Sequence, residues 1–174
     1  MKFLKSVLLI VIAAGSCLAW SQATKADADK DPAYQQLKRI VGGTWSSKVG
    51  KMEVTAKWRF GSDGSSIMGD TTVAPGTKDE FRMNARFGWD PEKKQPYYLD
   101  CHGLDTIYFG HASLEGEDTL LTFKGLVGQG PDNGTYVFRI HWKGADSYHA
   151  TLSYIAEGKE PKVVENFDWM RKAE

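Results

Sequence analysis

The chain has 174 residues, a length that suits one domain with an adequate core. Its 22 basic residues balance 22 acidic ones, and no basic stripe or basic amphipathic stretch stands out, which argues against nucleic acid or an anionic membrane surface as a partner. Two cysteines, one of them near the N-terminus, exclude a disulfide framework as the source of stability.

The first residues read as an address. Lys2 and Lys5 precede an apolar run from Val7 to Ala14 that is too short to span a bilayer. Ser21-Gln22-Ala23 supplies small residues at the positions a signal peptidase reads. The expected organisation is a signal peptide over 1–23, a flexible lead over 24–30 and one folded domain over 31–174, secreted or periplasmic. Ala14-Gly15-Ser16-Cys17 offers the alternative of a lipid anchor on Cys17. No second long apolar run follows, so no membrane span is expected, and the pattern specifies no oligomeric state. With residues 1–23 removed, Cys101 is alone and is expected to be buried and inert.

Asp31-Pro32 looks like a helix cap followed by proline at the first helical position. Tyr34, Leu37, Ile40 and Val41 fall at helical spacing, which predicts a short helix from Pro32 to Val41, stopped by Gly42-Gly43. Beyond that point the chain alternates with period two. Met52, Val54, Ala56, Trp58 and Phe60 share one face; Phe81, Met83, Ala85, Phe87 and Trp89 repeat it. So do Tyr136, Phe138, Ile140 and Trp142, then Tyr148, Ala150, Leu152 and Tyr154. Weaker strands fit 65–74, 97–102, 106–114, 119–127 and 163–170, with turn signals such as Gly61-Ser62-Asp63-Gly64 and Asn133-Gly134 between them. The expectation is an all-β, antiparallel up-and-down barrel of about ten strands with a short N-terminal helix.

One register follows from the turn Gly144-Ala145-Asp146. A three-residue turn sets Trp142 against Tyr148, Ile140 against Ala150, Phe138 against Leu152 and Tyr136 against Tyr154, apolar on apolar throughout. A two-residue turn would set apolar against polar, which a buried face forbids. The same register places His141 opposite His149 on the polar face.

Gly43-Thr44-Trp45 follows the helix and opens the first strand, and this resembles the Gly-x-Trp start of lipocalins and other calycins. The resemblance implies that Trp45 closes the barrel floor and that a basic residue after the last strand, Arg171 or Lys172, packs on it. The longer layout looks like a calycin-related domain-of-unknown-function family of secreted bacterial proteins. It is carried by Trp58, Phe87-Gly88-Trp89-Asp90, Asp100-Cys101-His102-Gly103 and Trp169-Met170-Arg171-Lys172. It implies a lipocalin-like barrel and little about activity; His102 departs from the more apolar residue expected at its tip.

The inner face is the functional lead. Trp58, Phe81, Met83, Phe87, Tyr136, Phe138, Tyr154 and Phe167 are large side chains for one lumen, and they point to non-enzymatic binding of a small hydrophobic molecule. The competing expectation is a barrel filled by these rings, with a structural or envelope-associated role. Glu165 alternates with Val163, Phe167 and Trp169; either it faces inward, or an arginine at the rim pairs with it, or a bulge turns it out. Asp100 and His102 are polar candidates at the mouth, and an enzyme that used them with Glu165 requires the three to converge. No catalytic residues, metal ligands or cofactor are expected: the His141–His149 pair has no evident third ligand, and neither a nucleophile elbow nor a phosphate loop occurs.

Overall fold

The computed structural model describes residues 26–103, 106–127 and 134–172. The expected signal segment, Cys17 and Asn133 lie outside the described residues. A helical turn at 26–28 leads in, and its Ala28 is buried, so part of the stretch expected as a flexible lead is packed on the core. Asp31 caps helix α1 (Pro32–Lys38): its side chain accepts the Tyr34 amide at 2.8 Å, and Pro32 needs no partner at the first position. The helix stops short of the expected Val41. The amides of Arg39, Ile40 and Val41 bond three residues back, to Gln36, Leu37 and Lys38, and this tighter winding carries the chain to Gly42 and Gly43 at φ +89° and +67°.

Ten strands follow: β1 (Thr44–Val49), β2 (Met52–Phe60), β3 (Ile67–Val73), β4 (Phe81–Asp90), β5 (Gln95–His102), β6 (Thr106–Glu115), β7 (Asp118–Val127), β8 (Thr135–Trp142), β9 (Ser147–Ile155) and β10 (Lys162–Lys172). Each pairs antiparallel with its neighbour in sequence, and β1 pairs with β10 through Trp45 and Arg171, closing the barrel. Closure leaves no strand edge for another chain to extend. The expected register holds between β8 and β9, from Tyr136 opposite Tyr154 to Trp142 opposite Tyr148.

The two ends of the barrel differ. At one end Tyr34, Leu37 and Ile40 of the α1 segment join Trp45, Ile67, Phe87, Ala112, Leu121, Ile140, Tyr148, Ala150 and Trp169 in a buried cluster. The Tyr34 hydroxyl donates to the Ser65 carbonyl, and Arg39 donates to the Gly144 carbonyl at 2.8 Å while its guanidinium lies 4.1 Å from the Trp142 ring. These contacts tie α1 to the β2–β3 and β8–β9 turns, so it lies across the opening as a plug. Burial, and then the Asp63 and Asp29 carboxylates, push the Tyr34 phenol up to about 12, so it remains a donor at neutral pH.

The Gly-x-Trp start acquires its physical content here. Trp45 is fully buried, and its indole N–H donates to the Ile40 carbonyl at 2.7 Å. The Arg171 guanidinium lies 4.6 Å from the Trp45 ring and donates to the Arg39 and Val41 carbonyls at 2.7 and 3.3 Å. Those carbonyls end α1, so the last strand satisfies groups the helix leaves open. Gly43 is required twice: its φ is positive, and a Cβ there would meet Arg171 Cγ at 3.0 Å.

The outer face is polar along most strands, with Arg59–Asp70, Lys172–Glu53 at 2.8 Å and Arg139–Asp118 at 2.9 Å among its ion pairs. His141 and His149 face each other there, as expected; His141 bonds Asp118 at 2.8 Å and His149 bonds Asp168 at 2.9 Å. No helix among the described residues is long and apolar enough to cross a membrane.

Candidate functional site in the barrel lumen

Away from α1, most inward aromatic residues keep partial access to solvent, while Ser47, Val54, Val73 and Asp100 are buried there. Trp58, Met83, Tyr98, Tyr108, Phe123, Tyr136, Phe138, Leu152, Tyr154, Glu165 and Phe167 are all half-buried, although cross-strand pairing places each on the same inner face as the sealed cluster. The inner face therefore divides into a packed floor under α1 and aromatic walls with partial solvent access towards the other end. A ring of ten strands is wider than the eight whose side chains fill a lumen, which gives the geometric reason.

The walls are continuous. Trp58 stacks on Phe87 at 5.4 Å, Phe87 meets Tyr98 at 5.2 Å, and Tyr98 meets Phe123 at 5.2 Å. Phe123 stacks on Tyr136 at 5.5 Å, and Tyr136 meets Tyr154 at 5.1 Å. Phe138 and Phe167 face each other at 5.8 Å. Each such pair contributes about 0.5–1.5 kcal/mol beyond its area, which holds the rings in fixed orientations. Of the residues expected to line the lumen, Phe87 is sealed in the floor and Phe81 sits exposed at the rim; the others stand in the accessible wall.

Gly69 was not a candidate from sequence, yet it makes this wall. A Cβ at Gly69 would sit 2.3 Å from the Trp58 ring, so the indole lies flat against the β3 backbone. A glycine inside a strand is the signal for such a close approach. Tyr98, Tyr108 and Phe123 line it as well, on strands whose alternation in the sequence leaves their facing open.

Strand β5 inverts the usual pattern. Pairing with β4 and β6 turns Tyr98, Asp100 and His102 inward, and Tyr97, Leu99 and Cys101 outward. The outward apolar residues find cover of their own: Tyr97 lies over Gly88 and stacks on Phe109 at 6.1 Å. Inside, Asp100 is 7% exposed, and its Oδ2 accepts from the Tyr98 hydroxyl at 2.7 Å and from His102 Nε2 at 2.8 Å. A carboxylate this buried needs such donors. Its Oδ1 is buried with no hydrogen-bond partner among the described residues. The His102 ring lies 4.9 Å from Tyr108. Burial foremost, then the Asp100 charge, hold the Tyr98 phenol well above its ordinary range, and the same two causes raise Tyr108. Both hydroxyls therefore stay protonated as donors at neutral pH.

The bulge expected as one alternative for Glu165 exists, but it turns a different residue. Register shifts between Val163 and Glu165, so Val163 pairs with outward Ser153, while Glu165 pairs with inward Leu152. Val163 was expected on the inner face and is on the outer one. Among the described residues Glu165 accepts just the Asn166 amide, at 3.0 Å. It stands on β10, five strands from β5 in either direction around the ring, so the three polar candidates do not converge: Asp100 and His102 are bonded, and Glu165 faces them from the opposite wall. Cys101 points away from His102, which removes a thiol–imidazole pair. Among the described residues no group of three His, Cys, Asp or Glu side chains is arranged to hold a metal ion.

No family model matches the chain, and no curated protein matches it. Among solved structures it is similar to Rv2717c from M. tuberculosis, at 15% identity and a TM-score of 0.53, over 82% of this chain and 98% of that one. At that identity the likeness concerns the fold alone.

Proposed function

We propose that this chain is an exported, lipocalin-like binding barrel whose lumen takes a small, largely apolar molecule about the size of one or two aromatic rings. The observation that supports it is the contrast along the barrel: inner residues are sealed where α1 plugs one end, whereas the aromatic wall from Trp58 to Tyr154 keeps access to solvent. Pockets of this kind combine apolar walls with a few placed polar groups, here the Tyr98–Asp100–His102 cluster. The test is a titration of protein purified without denaturant with neutral N-phenylnaphthylamine, alongside native mass spectrometry. Saturable dye binding at one site, or a retained small molecule, is expected; no saturable binding and no retained mass would overturn the reading.

The Asp100–His102 bond also favours a second reading, an enzyme in which Asp100 orients the imidazole and leaves Nδ1 to take a proton from a bound molecule. Turnover of a library of aromatic esters and alcohols that is lost in H102Q would support it over binding alone, and turnover unchanged in H102Q would remove it.

A further inference from the structure

The inner face carries a carboxylate, Glu165, that no ion pair among the described residues answers and that an apolar ligand leaves unanswered. Glu165 and Asp100 both face the lumen, and Glu165 forms no ion pair among the described residues. Basic side chains do not answer them. Arg171 is committed to the helix-end carbonyls and to Trp45 at the far end, and Lys162, which pairs with inward Tyr154 at the rim, is exposed and forms no ion pair among the described residues. Lys57, Arg59, Arg82, Arg86, Lys124 and Arg139 all fall on the outer face by register. His102 is the other basic side chain turned inward near the wall, and it is already bonded to Asp100.

A half-buried carboxylate with no counter-charge is costly, and this chain keeps one beside an aromatic wall. Trp58, Tyr108 and Tyr136 belong to the same inner wall, and aromatic rings attract cations through their quadrupoles. A second, independent acceptor is already in place: buried Asp100 Oδ1 has no partner among the described residues. We propose that the lumen selects an organic cation, a protonated amine or quaternary ammonium carried on a flat apolar body, with Glu165 supplying the counter-charge and the aromatic wall receiving the body. This rests on the lumen being a binding site, and it adds which charge that site prefers.

The test uses three probes of equal size: naphthylmethylammonium, naphthylmethanol and naphthoate, titrated into the full protein at neutral pH by calorimetry. The ammonium is expected to bind about tenfold tighter than the alcohol, and the carboxylate weakest, a difference that corresponds to one desolvated cation–π or ion-pair contact. E165Q is expected to reduce the ammonium-to-alcohol ratio to about threefold or less while alcohol binding stays the same; E157Q, in the exposed β9–β10 turn, is expected to leave the ratio as it is. Equal binding of ammonium and alcohol, or a ratio unmoved by E165Q, overturns the cation preference and leaves the binding lumen standing. If none of the three probes binds, the lumen itself is not a site and both readings fall.

Discussion

Replacing Arg171 by alanine removes four contacts at once, three of them at the barrel floor. The Arg39 carbonyl loses a charge-assisted bond at 2.7 Å, the Val41 carbonyl loses a longer one at 3.3 Å, and Trp45 loses the cation over its face. The Arg171 side chain is 24% exposed, so water replaces only part of what is lost. A bond to a charged donor contributes about 1.5–3 kcal/mol. The long bond falls at or below the bottom of that range, and the cation–π contact adds about 0.5–2 kcal/mol. The exposed Asp146 pair, at 3.2 Å, adds little. A total near 3 kcal/mol converts to a fall of about 6–12 °C in Tm for a domain of this size. R171K keeps a charge near Trp45 but cannot fork to two carbonyls, and is expected to fall by about half as much. Thermal unfolding followed by circular dichroism measures both. An R171A Tm within about 2 °C of the parent would refute the assignment of Arg171 as the clasp between helix end, Trp45 and last strand.

Two further outcomes follow from the same structure. Asp118 is held below the ordinary carboxylate range by His141 first and Arg139 second, so its contribution is present above pH about 4 and is lost as pH falls through its lowered folded value. D118N should therefore be less stable than the parent at pH about 5, and the difference should shrink as pH falls below about 4; a difference that stays constant as the pH is lowered through the acid range in thermal melts would contradict the pairing. Gly69→Ala places a methyl group where the Trp58 ring lies, so the indole must leave the β3 backbone. A loss of about 1–3 kcal/mol in urea unfolding is expected, with a shifted tryptophan emission maximum; an unchanged spectrum would show that the ring does not rest there.

The barrel is legible because most strands hold to period two, and the Gly144-Ala145-Asp146 turn admits one register that keeps Tyr136 on Tyr154. The clasp is legible through Gly43, Trp45 and Arg171. Strand β5 is not, for a physical reason: its outward residues Tyr97 and Leu99 are apolar and its inward Asp100 and His102 are polar, so binary patterning points the wrong way. Local rules break where a structure spends stability on a polar interior, and β5 is that place here. β6 has a similar ambiguity in Ile107-Tyr108-Phe109, three apolar residues in a row of which only Tyr108 faces inward. The facing of Val163 hinges on one bulged residue, Val164, and no alternation rule reports an inserted residue. The helix ended early because its last turn tightened toward Gly42, a change of winding that spacing alone does not distinguish.

The most direct test of an open lumen is to fill it. Leu152 is half-buried on the inner face, opposite Phe138 on one side and Glu165 on the other. Leu152→Trp adds a ring to the lumen without touching the α1 end. The parent is expected to bind N-phenylnaphthylamine saturably at one site, and L152W, with a cooperative thermal transition retained, to lose that binding by tenfold or more, the loss of about 1.4 kcal/mol. Equal dye affinity in the two proteins would contradict it and would place the dye on the outer surface of the barrel.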